Sequence, residues 1–182
     1  MVTPRLQAGA GLLEMMVTLV IMAFGLLGLV GLQSRLQASE MEAYQRSQAL
    51  ILVGDMAQRI AINRRAAPAY VTATSIGGGA CPAATGSRQQ IDAAEWCEAL
   101  QGAAERSGTS KLGTVIGGRG CVQDLGNNEY LVTVAWQGLL PIAAPPAGVS
   151  CGKDLYDNSS TRCIADRCRR TVTTLVRIGA LS

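Results

Sequence analysis

The six cysteines are the side chains of this 182-residue chain best suited to covalent chemistry. They are Cys81, Cys97, Cys121, Cys151, Cys163 and Cys168, and all of them follow the apolar segment near the N-terminus. An even number of cysteines confined to one side of such a segment is typical of disulfides in an oxidising compartment, such as a bacterial periplasm. Buried free thiols are the alternative. We expect three intramolecular disulfides, one joining Cys81 to Cys97 and two tying the stretch 121–168, in a pairing that the sequence leaves open.

Catalytic chemistry has few other candidates. The chain has no histidine, which removes the commonest general base and the commonest zinc ligand. A zinc site built from cysteines needs two close pairs of ligands, and only Cys163 and Cys168 are near each other in the sequence. Ser110 and Lys111 lack a spacing that indicates a catalytic dyad. We therefore predict no catalytic residue, no metal and no cofactor, and a membrane-anchored periplasmic enzyme is the disfavoured alternative.

The charge pattern does not favour nucleic-acid binding. The formal net charge is only +3, and the basic residues do not gather on one stripe with aromatic neighbours. The only basic cluster is Arg167, Arg169 and Arg170, which could serve DNA capture. Charged residues that guard an exposed strand edge explain this cluster more simply. We predict no nucleic-acid partner.

Glu14 is the single ionisable residue between Gly11 and Leu32. The apolar run that contains it would form a helix of roughly 34 Å, enough to cross a bilayer core of about 30 Å. A carboxylate in such a helix costs about 2–3 kcal/mol unless it gains a partner. A secretory signal peptide, with Ala23 and Gly25 as a weak cleavage pair, and a plain membrane anchor are the alternatives. Neither of them explains Glu14.

The apolar residues become periodic from 34 to 64, as in an amphipathic helix. The predicted buried face consists of Leu36, Ala43, Leu50, Val53, Ala57 and Ile60, with Met56 beside it. On the opposite face, Glu42 with Arg46 and Asp55 with Arg59 have the spacing of i,i+4 ion pairs. No strong helix breaker separates this stretch from the apolar run. The sequence therefore predicts one long helix, with its first half in lipid and its second half against a soluble domain.

Gly25, Gly28 and Gly31 interrupt the middle of this helix. Each glycine costs up to about 1 kcal/mol relative to alanine, so we expect this segment to bend or unwind more readily than its flanks. A packing face of small residues between membrane helices is an equally good interpretation. Both interpretations can hold together.

The rest of the chain predicts loops, one short helix and a small sheet. We expect a loop from Pro68 to Gly86, in which the glycine run 77–79 is a flexible linker, and a helix from Gln89 to about Glu105. Alternating residues predict strands at 121–125 and 130–136, joined by a turn at 126–128, and a third strand at 172–178. The stretch 139–170 is predicted to be a long loop that disulfides hold in place.

The sequence Gly9-Ala10-Gly11-Leu12-Leu13-Glu14 resembles the cleavage motif of type IV prepilins, although Ala10 and Gly11 stand where an aromatic and a hydroxyl residue are more usual. The resemblance continues through 25–33, 43–49 and 55–64, which are similar to minor pilins of the PilV family. The stretches 132–138 and 169–172 resemble the sheet of that family more loosely.

This resemblance implies a processing route and a role for Glu14. A prepilin peptidase of the inner membrane would cut between Gly9 and Ala10 and methylate the new amino terminus at Ala10. The carboxylate of Glu14 would then pair with the amino terminus of a neighbouring subunit during assembly. The implied partners are the peptidase, other minor pilins, the major pilin, a possible tip adhesin and the inner membrane.

The resemblance also implies an α+β pilin fold, in which a long N-terminal helix packs on a small antiparallel sheet of three or four strands. The implied organisation is a leader (1–9), a transmembrane and assembly helix (10–33) and a periplasmic head (34–182). The head would comprise an amphipathic helix (34–64), a loop and short helix (65–112), and a sheet with a disulfide loop (113–182). The expected function is that of a minor pilin in a complex that primes pilus assembly at the tip, so that the protein passes from the inner membrane to the extracellular pilus. A minor pseudopilin of type II secretion is the alternative within this class.

Overall fold

A computed structural model describes residues 10–103, 106–107, 110–111 and 115–179 of the chain. The chain divides into two compact units, Met1–Met41 and Glu42–Ser182. The helices are α1 (Ala10–Ile62), a 3-10 helix (Arg64–Tyr70) and α2 (Arg88–Leu100). The strands are β1 (Arg106–Ser107), β2 (Ser110–Lys111), β3 (Arg119–Gly126), β4 (Glu129–Gln137) and β5 (Arg169–Arg177). The class is α+β, as predicted.

Helix α1 is continuous over 53 residues, which confirms the prediction of one long helix. It passes through Gly25, Gly28 and Gly31 without a break. A Cβ atom added at any of these glycines would meet nothing within 4 Å. Their small size is therefore not needed for packing among the described residues.

The chain after α1 forms a 3-10 helix where the sequence analysis expected the end of α1 and the start of a loop. Asn63 leaves the helical conformation with φ −96° and ψ 40°. Pro68 cannot donate a backbone hydrogen bond, and the helix ends two residues later at Tyr70, whose ring is buried. Tyr70 thus holds this turn against the core.

Helix α2 begins one residue before its predicted start. Ser87 accepts a hydrogen bond from the backbone of Gln90, and the Gln90 side chain accepts one from the backbone of Ser87, which is a capping box. The helix ends at Leu100, and Gly102 soon after adopts a positive φ of 79°. The helix therefore ends before its predicted end at about Glu105, because residues 101–103 form a turn.

The main sheet is antiparallel with the order β3-β4-β5, and β1 pairs with β2 in a separate two-stranded sheet. Asn127 and Asn128, with φ of 52° and 59°, turn the chain between β3 and β4, as a tight hairpin requires. Cys121 pairs with Thr133, and Val132 pairs with Thr174. The predicted hairpin and third strand are both confirmed.

The core of the head lies between α1, α2 and one face of the sheet. Its largest fully buried side chains include Met56, Ile60, Trp96 and Val132. The Trp96 indole donates a hydrogen bond to the backbone oxygen of Leu52 at 2.9 Å, which fixes α2 against α1.

The buried face of α1 includes Val53, Met56 and Ile60, as predicted, but its first half differs from the predicted face. It consists of Gln45, Ala49, Leu52, Val53, Met56 and Ile60. Leu36, Ala43 and Leu50 are exposed, so their predicted burial is wrong. Leu50 and Ile51 are apolar although they face solvent, and a helix with apolar residues on most of its circumference gives no clear period.

Gly77, the first residue of the run 77–79 that was predicted to be a flexible linker, packs against the segment before β3. Ile76 forms an antiparallel bridge with Gly120 beside β3. Gly77 has a φ of 101°, and an added Cβ atom would lie 2.6 Å from the backbone oxygen of Gly118. A side chain at position 77 would therefore push this segment away from the segment around Gly118.

The long loop between β4 and β5 has two of the three disulfides. Cys121–Cys151 ties the loop to β3, Cys163–Cys168 closes a short turn before β5, and Cys81–Cys97 joins the preceding loop to α2. Cys121, Ala135, Cys151 and Tyr156 form a small buried cluster. All six cysteines are therefore paired, and Cys81 has the partner that the sequence analysis gave it.

Candidate functional site

The first part of α1 leaves its apolar side chains without a partner. Every residue from 11 to 32 is exposed, and Leu12 and Phe24 are 75% and 71% exposed. By length and composition this helix is apolar enough to cross a membrane. Soluble proteins rarely expose an apolar patch of this size. This segment, which we call the apolar segment (11–32), is suited to lipid or to contact with other subunits.

Glu14 lies near the start of the apolar segment and is exposed. None of the described residues forms a hydrogen bond or an ion pair with it. The other polar side chain nearby, Thr18, donates its hydroxyl to the backbone oxygen of Met15 at 2.9 Å. Thr18 is therefore satisfied within the helix, whereas Glu14 is not.

Several of the small and polar residues of the apolar segment share one side of the helix, whereas Gly31 lies outside it. At about 100° per residue, Gly11, Glu14, Thr18, Gly25 and Gly28 fall within an arc of about 100°. Small residues on one side let a second helix approach closely. This arrangement favours the interpretation of the glycines as a packing face. The predicted cleavage point at Gly9 lies outside the described residues, and Ala10 is the first residue of α1.

An ionic network in the head joins the end of α1 to α2. The guanidinium of Arg59 lies 2.9 Å from Asp55, 2.9 Å from Asp92 and within hydrogen-bonding distance of Glu95. Arg88 contacts the same oxygen of Asp92 at 2.7 Å. The sequence analysis found only the Asp55–Arg59 pair of this network. The i,i+4 spacing of Arg88 and Asp92 on α2 was the signal that could have extended it.

The network changes the ionisation of its members. Burial alone would raise the pKa of Asp92, but hydrogen bonds from Tyr70, Arg59 and Arg88 outweigh it, and the pKa lies below its usual range. Burial and the hydrogen bond to Asp92 raise the pKa of Tyr70. Burial alone would lower the pKa of Arg59, yet hydrogen bonds to Glu95, Asp55 and Asp92 raise it. Asp92 is therefore ionised and fully partnered although its side chain is only 2% exposed.

Glu42 does not form the predicted pair with Arg46. Its carboxylate accepts hydrogen bonds from Arg170 and from the backbone N–H of Leu139, each at 3.1 Å. Arg170 also donates to the backbone oxygen of Leu140. Glu42 therefore connects α1 to the chain leaving β4 and to the start of β5.

The basic cluster of Arg167, Arg169 and Arg170 does not form an exposed basic patch. Arg169 is 3% exposed, and its guanidinium lies 3.0 Å from Asp166 and donates to the backbone oxygens of Val149 and Cys151. Arg170 forms an ion pair with Glu42. The interpretation of these two arginines as edge guards is therefore wrong, and Arg167 alone of the three is exposed.

A cleft of about 230 Å³ opens between α1, α2 and β3. The described residues that line it are mainly apolar, among them Met56, Ile76, Trp96 and Val122, and the lining includes no carboxylate or thiol. Ser110 and Lys111 form strand β2. Tyr70 also lines the cleft, and its hydroxyl is engaged in a hydrogen bond to Asp92.

Comparisons with protein-family models, with curated proteins and with solved structures find no match to this chain. The architecture is nevertheless pilin-like, because a long N-terminal helix with an exposed apolar segment continues into a head in which it packs on a three-stranded antiparallel sheet. This is the α+β arrangement implied by the resemblance. The disulfides are consistent with a head in an oxidising compartment outside the cytoplasm.

Proposed function

We propose that this protein is a minor pilin of a type IV pilus, incorporated at low abundance as part of a complex that primes assembly at the tip. The observation that carries the proposal is Glu14, a carboxylate in the exposed apolar segment with no partner among the described residues. A plain anchor has no use for this charge. A subunit that pairs with a cation on its neighbour does need this charge.

The chemistry of assembly follows from two groups at the start of α1. Cleavage after Gly9 would create an amino terminus at Ala10, and this positive group on one subunit would pair with Glu14 of the next. Breaking a buried ion pair by removing one partner typically costs about 3–5 kcal/mol. The packing face of Gly11, Thr18 and Gly25 would let the helices of neighbouring subunits approach closely enough for this pair to form.

The partners of the protein would follow from its route through the cell envelope. The prepilin peptidase would act on the leader 1–9 at the inner membrane, and other minor pilins, the major pilin and a possible tip adhesin would contact the assembled protein. Before assembly the apolar segment would lie in the inner membrane with the head in the periplasm. The three disulfides support this location of the head.

We propose a structural role and not an enzymatic one. The chain has no histidine, and Tyr70, the ionisable residue in the lining of the cleft beside Trp96, is committed to a hydrogen bond with Asp92. The head instead provides surfaces and a rigid frame, held by its disulfides and by the Arg59–Asp92 pair.

The test replaces Glu14 by alanine in the native host. The matched control is Glu40→Ala, because Glu40 is also an exposed glutamate of α1 but lies outside the apolar segment. We expect the Glu14→Ala protein to accumulate in the inner membrane, while sheared surface fibres contain less of it or fall in number. The Glu40→Ala protein should assemble normally.

The readout is a blot for this protein in sheared fibres and in the membrane fraction. Equal recovery of Glu14→Ala and wild type in normally abundant fibres would refute the proposal. A host that keeps its surface fibres but loses protein secretion on deletion of the gene would identify a minor pseudopilin instead.

A further inference from the structure

The two edge strands of the main sheet, β3 and β5, differ in whether another segment of the chain covers them. The outer edge of β3 is covered by the preceding loop, in which the Thr72 N–H donates to the backbone oxygen of Val122 at 3.0 Å. Ile76 and Gly120 exchange backbone hydrogen bonds at 3.0 and 2.9 Å. This edge is therefore closed to another strand.

The edge formed by β5 is open. At the two ends of the β4–β5 ladder, the Ile178 N–H donates to the backbone oxygen of Asn128, and the Gly138 N–H donates to that of Cys168. Hydrogen-bonded and non-hydrogen-bonded pairs alternate along an antiparallel ladder, so every second residue of β5 between these ends bonds to β4. The residues that bond to β4 are therefore Arg170, Val172, Thr174 and Val176.

The residues between them turn their N–H and C=O groups away from β4. They are Thr171, Thr173, Leu175 and Arg177. None of the described residues forms a backbone hydrogen bond with these outward groups. The outer edge of β5 is therefore free to pair with another strand.

This open edge lacks the usual protections against pairing. Strand β5 pairs with β4 over nine residues without a bulge, and the stretch 171–176 has no charge, proline or glycine. The side chains of Arg169 and Arg170 are turned to internal partners and do not guard it. Native proteins normally blunt such an edge with charges, prolines or bulges, since it is a template for another strand.

We infer that the open edge of β5 binds an extended segment of another protein, which adds a fourth strand beside Thr171–Arg177. The segment has an uncharged, β-branched middle and a carboxylate at each end. Its backbone supplies the partners for the outward N–H and C=O groups, and its middle side chains lie beside Thr173 and Leu175, of which Leu175 is 41% exposed.

The charges at the two ends of the edge favour this occupant over a second copy of the chain. Arg167 is exposed at one end, and the Arg177 side chain is 72% exposed at the other, where Glu129 is its only described partner. No acidic residue follows Asp166 in the sequence. Two β5 strands paired antiparallel would bring Arg177 of each copy toward the Arg167 end of the other, whereas carboxylates would meet a cation at both ends.

The experiment measures amide hydrogen exchange in the full chain, held in detergent micelles. The probe is the synthetic peptide Glu-Val-Thr-Val-Thr-Val-Thr-Glu. We expect it to slow exchange at Thr171, Thr173 and Leu175 by about tenfold or more, while the amides of Val172 and Val176, already bonded to β4, change little. The same peptide with lysine at both ends should bind about tenfold more weakly.

Two controls test the backbone itself. A peptide N-methylated at every residue, which has no N–H donor on either edge, should give no protection to the wild-type chain. Thr173→Pro should abolish the protection because proline has no N–H, whereas Thr173→Ala should retain it. Unchanged exchange at Val132 and Val134 of β4 would show that the Thr173→Pro sheet is intact.

Three results would overturn the inference: no protection by the acidic peptide, equal protection by the lysine peptide, or protection that rises with protein concentration without peptide. The last would mean that a second copy occupies the edge. The inference rests on the strand edge alone, so its failure would leave the proposed minor-pilin function standing, and the Glu14→Ala test does not depend on it.

Discussion

Arg59 Nη1 lies 2.9 Å from a carboxylate oxygen of Asp92, and this pair joins the end of α1 to the middle of α2. Asp92 is 1% exposed, so the pair lies beneath the surface of the head. Tyr70 donates its hydroxyl to the same carboxylate from the 3-10 helix. One buried charge therefore holds three helical elements together.

The first prediction concerns acid stability. Because the folded-state pKa of Asp92 is lowered, its ionised form stabilises the fold above the unfolded-state pKa of about 3.9, and this contribution is lost as the pH falls through the folded-state value. Asp92→Asn should lower the free energy of unfolding at pH 7 by about 3 kcal/mol. It should also flatten the dependence of stability on pH below about pH 4.

Urea denaturation at several pH values measures both effects. Glu98→Gln is the matched control, since Glu98 is an exposed carboxylate of the same helix. A Glu98→Gln protein as unstable as Asp92→Asn would show that helix charge, and not the buried network, is responsible.

The second prediction ranks two disulfides. Cys121–Cys151 spans a sequence separation of 30, whereas Cys163–Cys168 spans 5. In the chain-entropy model the longer loop stabilises by about 1.5 kcal/mol more. Replacing Cys121 and Cys151 by serine should therefore destabilise the head more than replacing Cys163 and Cys168 by serine.

Thermal denaturation of the two double variants gives the comparison, with the wild type in reducing buffer as a reference for loss of all three disulfides. Thiol titration of the unreduced, denatured wild type should detect no free thiol. Six titrating thiols would contradict the disulfides, and equal loss of stability in the two variants would contradict the ranking.

The sequence predicted the elements of this fold better than their contacts. The length of α1, the hairpin at Asn127–Asn128 and the third strand follow from local patterns, because helix continuity and turn chemistry are set by neighbouring residues. The full set of buried residues on α1 does not follow from local patterns. Leu50 and Leu52 are equally apolar, and only the position of the sheet and of Trp96 decides that Leu52 is the buried one.

The polar contacts were the least predictable part. Glu42 has a suitable cation four residues away at Arg46, yet it binds Arg170, which is distant in sequence and is brought near by β5. Arg169 belongs to a charged run that is typical of a solvated surface, yet Asp166 and two backbone oxygens hold it inside. Because these two arginines have internal partners, they do not guard the edge of β5, and the sequence alone could not reveal this.

The third prediction concerns processing. The match from Gly9 to Glu14 predicts cleavage after Gly9, so the mature chain should begin at N-methylated Ala10. Intact-mass measurement of protein extracted from the native membrane tests this, with a Gly9→Val variant as the uncleaved control. A chain that retains Met1 in cells with an active peptidase would contradict the prediction, as would one that begins near Leu26.

The last prediction separates the two parts of α1. From Ala49 to Ile60 the helix has its own partner in the core of the head, whereas the apolar segment is exposed throughout. A chain that begins at Ser34 should therefore fold as a soluble monomer with its disulfides formed, and the full chain should require detergent or lipid. Sedimentation and circular dichroism measure the mass and the helix and strand content of both. Aggregation of the shorter chain at micromolar concentration, or loss of its strand signal, would mean that the apolar segment supports the head, because the only difference between the two proteins is the first 33 residues.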